Sequence, residues 1–261
     1  MVTTAQAVWD SLERVGDGPL QSFDPATTVD LPEPAQRFLC AAIPSATPLS
    51  TGIQLEMNGQ IKLGMWLPFT ARQLLRASVG LVWAAEVGDR LLRFTGADTL
   101  DTSGARMRFA LFGRVPVVNA TGQDVERSAA GRLAAETAAW LPQALTPQAG
   151  ARWTAVDESQ ARVTLPGPAG PVDVDLTIDE RGHIVDLGLE RWNTTAKPPR
   201  AEPFGGAITD ALDVHGVTIA GAGSVGWGHG VAHHDDTAFF RYRVTTAHFL
   251  DEAAHGQPRR R

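Results

Sequence analysis

Three groups of residues in this chain of 261 amino acids have types and spacings that could do chemistry. In the first, VTIAGAGSVGWGHG (217–230), Gly221, Gly223 and Gly226 form the G-x-G-x-x-G pattern of a dinucleotide-binding turn. That turn needs a helix directly after it, whose N-terminus holds the pyrophosphate. The residues that follow, WGHGVAHHDD, are a poor helix. We therefore interpret the glycines as a bend between antiparallel strands and predict no cofactor.

The second group consists of side chains that can bind metals, close together near the C-terminus. Its members are His229, His233, His234, Asp235 and Asp236. Histidines four residues apart share one face of a helix, as in zinc hydrolases, but no helix is expected here and the H-E-x-x-H pattern is absent. We therefore predict a solvated loop and no metal site.

The third group is the pair Arg132 and Glu136, in the stretch GQDVERSAAGRLAAETAAWLP. With about 100° of rotation per residue, the pair shares one arc of a helix with four apolar residues. These residues are Val125, Ala129, Leu133 and Trp140. A carboxylate that faces a sheet must pair, accept hydrogen bonds or take up a proton. Either the pair anchors the helix to the sheet, or it lines a ligand cavity, where Glu136 could act as acid or base with Arg132 as its orienting partner.

The elements that must position these residues are mostly strands. Short alternating stretches joined by turns run from residue 51 to 118 and again from 152 to 249, without helical crossovers. The sequence predicts a mainly β (α+β) protein, with a large curled antiparallel sheet or half-barrel of about ten strands covered by two or three helices. We expect an N-terminal helical segment at 1–45 that packs on the concave face, one half-barrel domain at 46–250 with an inserted helix at about 123–140, and a flexible tail at 251–261.

Aromatic residues suggest an apolar cavity between the sheet and the inserted helix, because a curled sheet rich in such side chains can line one. The candidate ligand-binding residues, aromatic or polar and near expected inner-face positions, are Trp66, Trp83, Phe109, Trp140, Arg191, Trp192, His215, Trp227 and Tyr242.

Composition excludes several functional classes. The net charge of -6 argues against nucleic-acid binding. The single cysteine, Cys40, excludes an internal disulfide framework and a thiolate zinc cluster, and we expect it in the core. We predict no transmembrane segment, no secretory signal and a cytoplasmic location. The oligomeric state stays open.

Several stretches resemble a bacterial family of uncharacterised proteins known only as a domain of unknown function. The resemblance extends from Leu31 to Thr246, and its most specific block is R-x-x-x-E-x-x-x-W-x-P. In this chain that block is Arg132, Glu136, Trp140 and Pro142; Trp66, Phe69, Ala71 and Trp83 match a second block, and Arg191, Gly216, Trp227 and Tyr242 a later one. Two departures, Leu133 where the family has an aromatic residue and LDVHG before the late glycine, would reshape a pocket. The resemblance implies no activity, and at the level of fold its pattern is similar to the half-barrels of lipoprotein carriers.

Three functions remain open from the sequence. The first is binding of a hydrophobic small molecule or lipid between the sheet and a helical lid. The second is a cofactor-independent cyclase, isomerase or hydrolase of bacterial specialised metabolism that uses the same cavity, with Glu136 as its acid or base. The third is an interaction module whose interior is simply filled.

Overall fold

The computed structural model describes residues 4–15, 21–231 and 237–250, so the predicted tail at 251–261 lies outside the described residues. Thirteen strands form one antiparallel sheet in the order β6-β5-β4-β3-β2-β1-β13-β12-β11-β10-β9-β8-β7. The strands are β1 Gly52–Leu63, β2 Met65–Arg76, β3 Gly80–Gly88, β4 Arg93–Asp101, β5 Gly104–Leu111, β6 Val115–Thr121, β7 Arg152–Ala155, β8 Gln160–Leu165, β9 Val172–Ile178, β10 Ile184–Asn193, β11 Arg200–Val214, β12 Val217–Trp227 and β13 Ala238–Phe249.

The sheet is curled and unclosed, which confirms the predicted fold class. Twist between neighbouring strands accumulates over so many strands and curls the sheet. Thirteen strands exceed the expected ten. The stretch TAKPPRAEPFGG, whose prolines indicate a loop, is a strand from Arg200 onward, where β11 begins. Pro203 pairs with Glu190 of β10 within that strand.

Helices lie on both faces of the sheet. They are α1 Ala5–Glu13, α2 Glu33–Ala42 and α3 Gln123–Trp140. The helices α2 and α3 pack on the inner, concave face, where most of the core lies. Val8 and Leu12 of α1 instead pack on Leu74 and Val82, on the outer face. The expectation that the whole N-terminal segment covers the concave face is therefore wrong for α1, because β2 carries apolar side chains on both faces near its C-terminal end.

The glycine pattern lies inside a strand rather than in a bend. Gly221, Gly223 and Gly226 all belong to β12, whose next described strand along the chain is β13. A Cβ atom on Gly223 would lie 2.6 Å from the carbonyl oxygen of Ala207 and 3.2 Å from the Tyr242 ring, so the missing side chain lets backbone and ring approach closely. Cys40 also differs from expectation: it is exposed, with its sulfur 3.5 Å from Thr28 Oγ1.

Small residues let α3 lie inside the curl. Its C-terminal half is buried on almost every side, and Ala138 and Leu133 are 0% and 2% exposed. Alanine favours a helix and permits close approach of neighbouring backbone, so a helix with many alanines fits inside a curled sheet. The chain thus passes from the edge strand β6 through the inside of the curl to the other edge strand, β7.

This packing predicts that enlarging Ala138 is costly. Ala138→Leu should lower the free energy of unfolding by about 1–3 kcal/mol, because extra methyl groups have no space between α3 and the sheet. Urea unfolding followed by circular dichroism measures the change. Ala7→Leu adds the same atoms on the exposed side of α1 and should change stability by less than about 0.5 kcal/mol. Equal effects of the two substitutions would contradict this account of α3.

Candidate functional site

The strands β2, β3 and β4 bring three polar side chains together on the inner face. Gln73 pairs with Trp83, and Trp83 pairs with Asp98, so the three residues form one row across neighbouring strands. Residues directly opposite each other in a sheet share a face and lie close enough to interact. The row faces α3, and both Gln73 and Trp83 are buried.

Arg132 on α3 joins this row through two carboxylates. Its Nη1 donates to Asp98 Oδ2 at 2.7 Å, and its Nε donates to Glu136 Oε1 at 2.6 Å. Gln73 Nε2 donates to the other oxygen, Glu136 Oε2, at 2.5 Å. The Arg132 guanidinium also lies 5.2 Å from the centre of the Trp83 ring. The predicted Arg132–Glu136 pair therefore exists, and it ties the helix to three strands.

The cluster is shielded but not sealed from solvent. The side chains of Arg132, Asp98 and Glu136 are 17%, 17% and 15% exposed. Burial raises the pKa of the Asp98 carboxyl, although the charge of Arg132 opposes that shift. Burial alone would lower the pKa of Arg132, but the two carboxylates outweigh it and hold the pKa above its ordinary value. The guanidinium therefore stays charged and requires both partners.

Within the described part of the chain, three buried polar atoms of the row have no hydrogen-bond partner. They are Gln73 Oε1, Trp83 Nε1 and Asp98 Oδ1. Unpaired buried polar atoms are uncommon in proteins, since each carries an uncompensated desolvation cost. Their presence side by side marks this part of the inner face as a place that could bind a polar group.

Aromatic rings cover the part of the inner face that lies next to the polar row. The ring centres lie 4.8 to 6.1 Å apart, and both stacked and edge-to-face arrangements occur. Phe69 contacts Trp83 and Phe240, Trp83 contacts Phe109, and Tyr242 contacts Phe240 and Trp140. We call the set Phe69, Trp83, Phe109, Trp140, Phe240 and Tyr242 the aromatic lining.

Part of this lining is accessible. Phe109 and Phe240 are half-buried, whereas Trp83, Trp140 and Tyr242 are 4%, 3% and 7% exposed. Burial, and then the negative charge of Glu136, raise the pKa of the Tyr242 phenol, which places Tyr242 near the polar cluster. The lining therefore extends from the half-buried rings of Phe109 and Phe240 to the shielded ion pairs.

Arg191 on β10 is a second cation on the inner face. Its Nε donates to the backbone oxygen of Ser128 at 3.1 Å, and its guanidinium lies 4.5 Å from the Phe204 ring and 5.5 Å from the Trp227 ring. Within the described residues no ion pair joins it to a carboxylate. Burial, and then repulsion from Arg132, lower the pKa of Arg191 to about 10. It is still charged at neutral pH and is half-buried.

A cavity lies on the neighbouring flank of α3. It has a volume of about 120 Å³, is lined by Leu133, Ala134, Thr137 and residues of the neighbouring turns, and includes neither Arg132 nor Glu136. A second cavity, of about 20 Å³, lies between α2 and α3. The polar cluster thus faces a half-open aromatic surface rather than either of these cavities.

Three predicted ligand residues lie apart from the aromatic lining. Trp66 is on the outer face of β2, because neighbouring residues of a strand point to opposite faces and Leu67 and Phe69 point inward. Trp192 packs beside the start of α3, where its Nε1 donates to Asp124 at 2.9 Å. His215 is exposed in the β11–β12 turn at φ 52°. The structure does not bring these three residues to the polar cluster.

The histidine group shows no metal geometry in the part of the chain that is described. Among these residues, no three His, Cys, Asp or Glu side chains could hold one ion. His229 is described: its Nε2 lies 2.8 Å from Asp186 Oδ1, and this hydrogen bond raises the pKa of His229. His233, His234, Asp235 and Asp236 lie outside the described residues.

Sequence reasoning missed Gln73, Asp98, Phe240 and Phe204. Gln73 and Asp98 are polar residues in strands whose inner positions are otherwise mostly apolar, and that mismatch is the signal that could have found them. Phe204 lies in a stretch that reads as a loop, so no pattern placed it opposite Leu189 and Trp227.

Comparison of the sequence with known protein families identifies the family of this chain. The sequence pattern of DUF6544, a family of unknown function, matches residues 21–241. The chain belongs to this family. The Arg132–Glu136–Trp140 block, which carries the resemblance, is the part of α3 that meets Asp98, Gln73 and Tyr242. No curated protein matches the chain.

Three solved structures are similar over most of the chain. A domain named for outer membrane lipoprotein sorting, from Vibrio parahaemolyticus, is 9% identical, covers 80% of this chain and 87% of its own, and has a TM-score of 0.40. A DUF1329 family protein from Desulfovibrio piger is 9% identical, with 89% and 99% covered and a TM-score of 0.40. A LolA superfamily protein from Nitrosomonas europaea is 7% identical, with 95% and 94% covered and a TM-score of 0.38. The resemblance to lipoprotein carriers is thus found again, at TM-scores too low to transfer any ligand to this chain.

The cluster predicts a large cost for removing its cation. Arg132→Met leaves Asp98 and Glu136 shielded without their bridging charge, and the free energy of unfolding should fall by about 3–5 kcal/mol at neutral pH. Uncompensated carboxylates have a higher pKa in the folded than in the unfolded protein, so protonation stabilises the folded variant. The deficit should therefore shrink as the pH falls through the acid range and grow as the pH rises.

Arg162→Met is the matched control. It removes an ion pair with Asp175 of the same N–O distance, 2.7 Å, but with side chains 46% and 30% exposed. Such a pair contributes about 0–1 kcal/mol. Urea unfolding of both variants at several pH values tests the difference, and a pH-independent loss for Arg132→Met would contradict the role given to the two carboxylates.

Proposed function

We propose that this protein binds a hydrophobic small molecule or lipid against the aromatic lining, on the flank of α3 that carries Arg132 and Glu136. The observation that supports this proposal is the continuous path of ring contacts from half-exposed Phe109 and Phe240 to buried Trp83 and Tyr242. An apolar molecule that covers the exposed part of these rings gains about 25 cal/mol for each Å² removed from water.

The open curl supplies the route to this surface. The sheet is not closed, so its inner face is open to solvent along one side. Val87, Leu67 and Phe94 extend the apolar surface beside the rings, and Phe94 is half-buried. A flexible chain or a flat ring system can therefore lie along the inner face without the enclosed cavity that the sequence suggests.

The polar groups of the inner face favour an amphiphile with an acidic head group. Arg132 is neutralised by Asp98 and Glu136, whereas Arg191 has aromatic rings and Ser128 as its neighbours. A carboxylate or phosphate is the group that an arginine without an acidic partner binds best. We therefore infer a ligand whose head group lies at Arg191 and whose apolar part covers the aromatic lining.

The enzyme alternative stays a prediction. Both oxygens of Glu136 accept hydrogen bonds, from Arg132 and Gln73, so in this arrangement the carboxylate serves as an ion-pair partner. Catalysis by Glu136 would require one of these bonds to break when a substrate binds.

A fluorescent polyene fatty acid tests binding at the lining. Phe109→Lys places a charge among the rings and should raise the dissociation constant at least about tenfold. Phe112→Lys introduces the same charge on the same hairpin but in an exposed turn, and should leave the dissociation constant within about twofold. Absence of saturable binding to the unsubstituted protein, or equal effects of the two variants, would contradict the proposed surface.

The acidic head group has its own test. Arg191→Met should weaken lauric acid about tenfold in displacement of the probe while changing 1-dodecanol little, because only the acid presents a charge to Arg191. Arg127→Met is the control: Arg127 is exposed and lies 4.9 Å from the Trp192 ring, outside the lining. Equal weakening of the acid and the alcohol would refute the head-group site but leave binding at the lining intact.

A further inference from the structure

Three neighbouring hairpins have their turns at the same end of the sheet. The turns between β1 and β2, β3 and β4, and β5 and β6 all lie at one end, because the six strands are consecutive and antiparallel. With neighbouring strands about 4.8 Å apart, the three turns follow one another at roughly 10 Å. Within the described residues no helix is long and apolar enough to cross a membrane.

The tips of these hairpins are apolar and exposed. Leu91 is 87% exposed, Met65 62%, Val115 58% and Phe112 49%. We call the exposed apolar residues of the three tips the hairpin rim; they are Leu63, Met65, Leu91, Leu92, Phe112, Val115 and Val117. Several large apolar side chains on consecutive turns are unusual, since turns favour Gly, Asn, Asp, Ser and Pro.

Phe112 departs furthest from the rules for turns. It has φ 49° and is followed by Gly113 at φ 69°, a pair of conformations that favours Asn-Gly or Asp-Gly. A bulky residue at positive φ is strained, and at 49% exposure the Phe112 ring gains little from the rest of the protein. A conformation that is unfavourable for phenylalanine, at a ring that is half exposed, indicates a role outside the fold.

The rim is basic although the chain is acidic. The stretches 60–68, 86–94 and 109–117 contain four basic and two acidic residues, a net charge of +2, against -6 for the whole chain. On the outer face below the first tip, Lys62 and Arg241 lie 6.0 and 4.5 Å from the centre of the Trp66 ring. Apolar tips above basic side chains and a tryptophan form the arrangement of a surface that rests in the interface of a bilayer.

We propose that the hairpin rim docks on the surface of an anionic lipid bilayer. The apolar tips would enter the interfacial region while Lys62, Arg90, Arg93 and Arg114 attract acidic head groups. In a symmetric dimer two positive rims would face and repel each other, so the net positive charge favours an anionic surface over self-association through the rim. This inference does not depend on a ligand at the aromatic lining, because the rim and the lining consist of different residues.

Vesicle flotation tests the proposal with the full chain. The protein should float with vesicles of equal parts phosphatidylglycerol and phosphatidylcholine, bind pure phosphatidylcholine at least about tenfold more weakly, and dissociate at high salt. Leu91→Asp with Phe112→Asp should reduce binding to the anionic vesicles at least about tenfold. Because Asp tolerates positive φ better than Phe, this variant should unfold at the same or a higher temperature than the unsubstituted protein.

Val29→Asp is the matched control. Val29 is 62% exposed but lies in the N-terminal segment rather than on the rim, so this variant should bind vesicles as the unsubstituted protein does. Phe109→Lys should also keep vesicle binding, which separates docking from ligand binding. Failure of the unsubstituted protein to float with anionic vesicles would overturn the proposal, and so would equal losses for the rim and control variants. Light scattering that shows a dimer lost in the rim variant, without vesicle binding, would assign the rim to self-association instead.

Discussion

The position of α3 inside the curl depends on one shielded cation. Arg132 lies between Asp98 of β4 and Glu136 of its own helix, with Gln73 holding the second oxygen of Glu136. A charge in such surroundings must be neutralised. Glu136 accompanies Arg132 on the same helix, so Asp98 of β4 and Gln73 of β2 are the partners that fix where α3 lies against the sheet. Apolar packing alone would leave an alanine-rich helix free to rotate or slide inside the curl, so the ion pairs define which flank of α3 meets which part of the sheet.

That placement divides the inner face in two. One flank of α3 packs through Leu133, Ala134 and Thr137 around a small cavity, as a protein core does. The other flank carries the polar cluster and meets aromatic rings that end half-exposed at Phe109 and Phe240. A filled interaction module would bury such rings against its own chain, whereas a binding protein leaves them for a ligand. The helix that completes the core on one side therefore forms the wall of the proposed binding surface on the other.

Local patterns predicted the parts of this structure that depend on local sequence. Period-two alternation gave the curled antiparallel sheet, and helical spacing placed Arg132 beside Glu136. Asp98 and Gln73 were not predicted as site residues, because their contacts with α3 depend on strand register between residues far apart in the chain. Trp66 was expected inward because composition alone does not tell which alternate residues of β2 point to the concave face, and α1 was misplaced for the same reason.

The most direct test of the proposed surface uses the indole N–H of Trp83, a buried donor in the middle of the polar row that has no partner among the described residues. Nitrogen-15 labelling of tryptophan gives this group its own NMR signal, which Trp83→Phe identifies. Titration with lauric acid should shift the Trp83 signal saturably and leave that of Trp153, which donates to Leu145 on the side of α2, in place. A Trp83 signal that does not move while the fatty acid binds would contradict the claim that the polar cluster and its aromatic lining form the binding site.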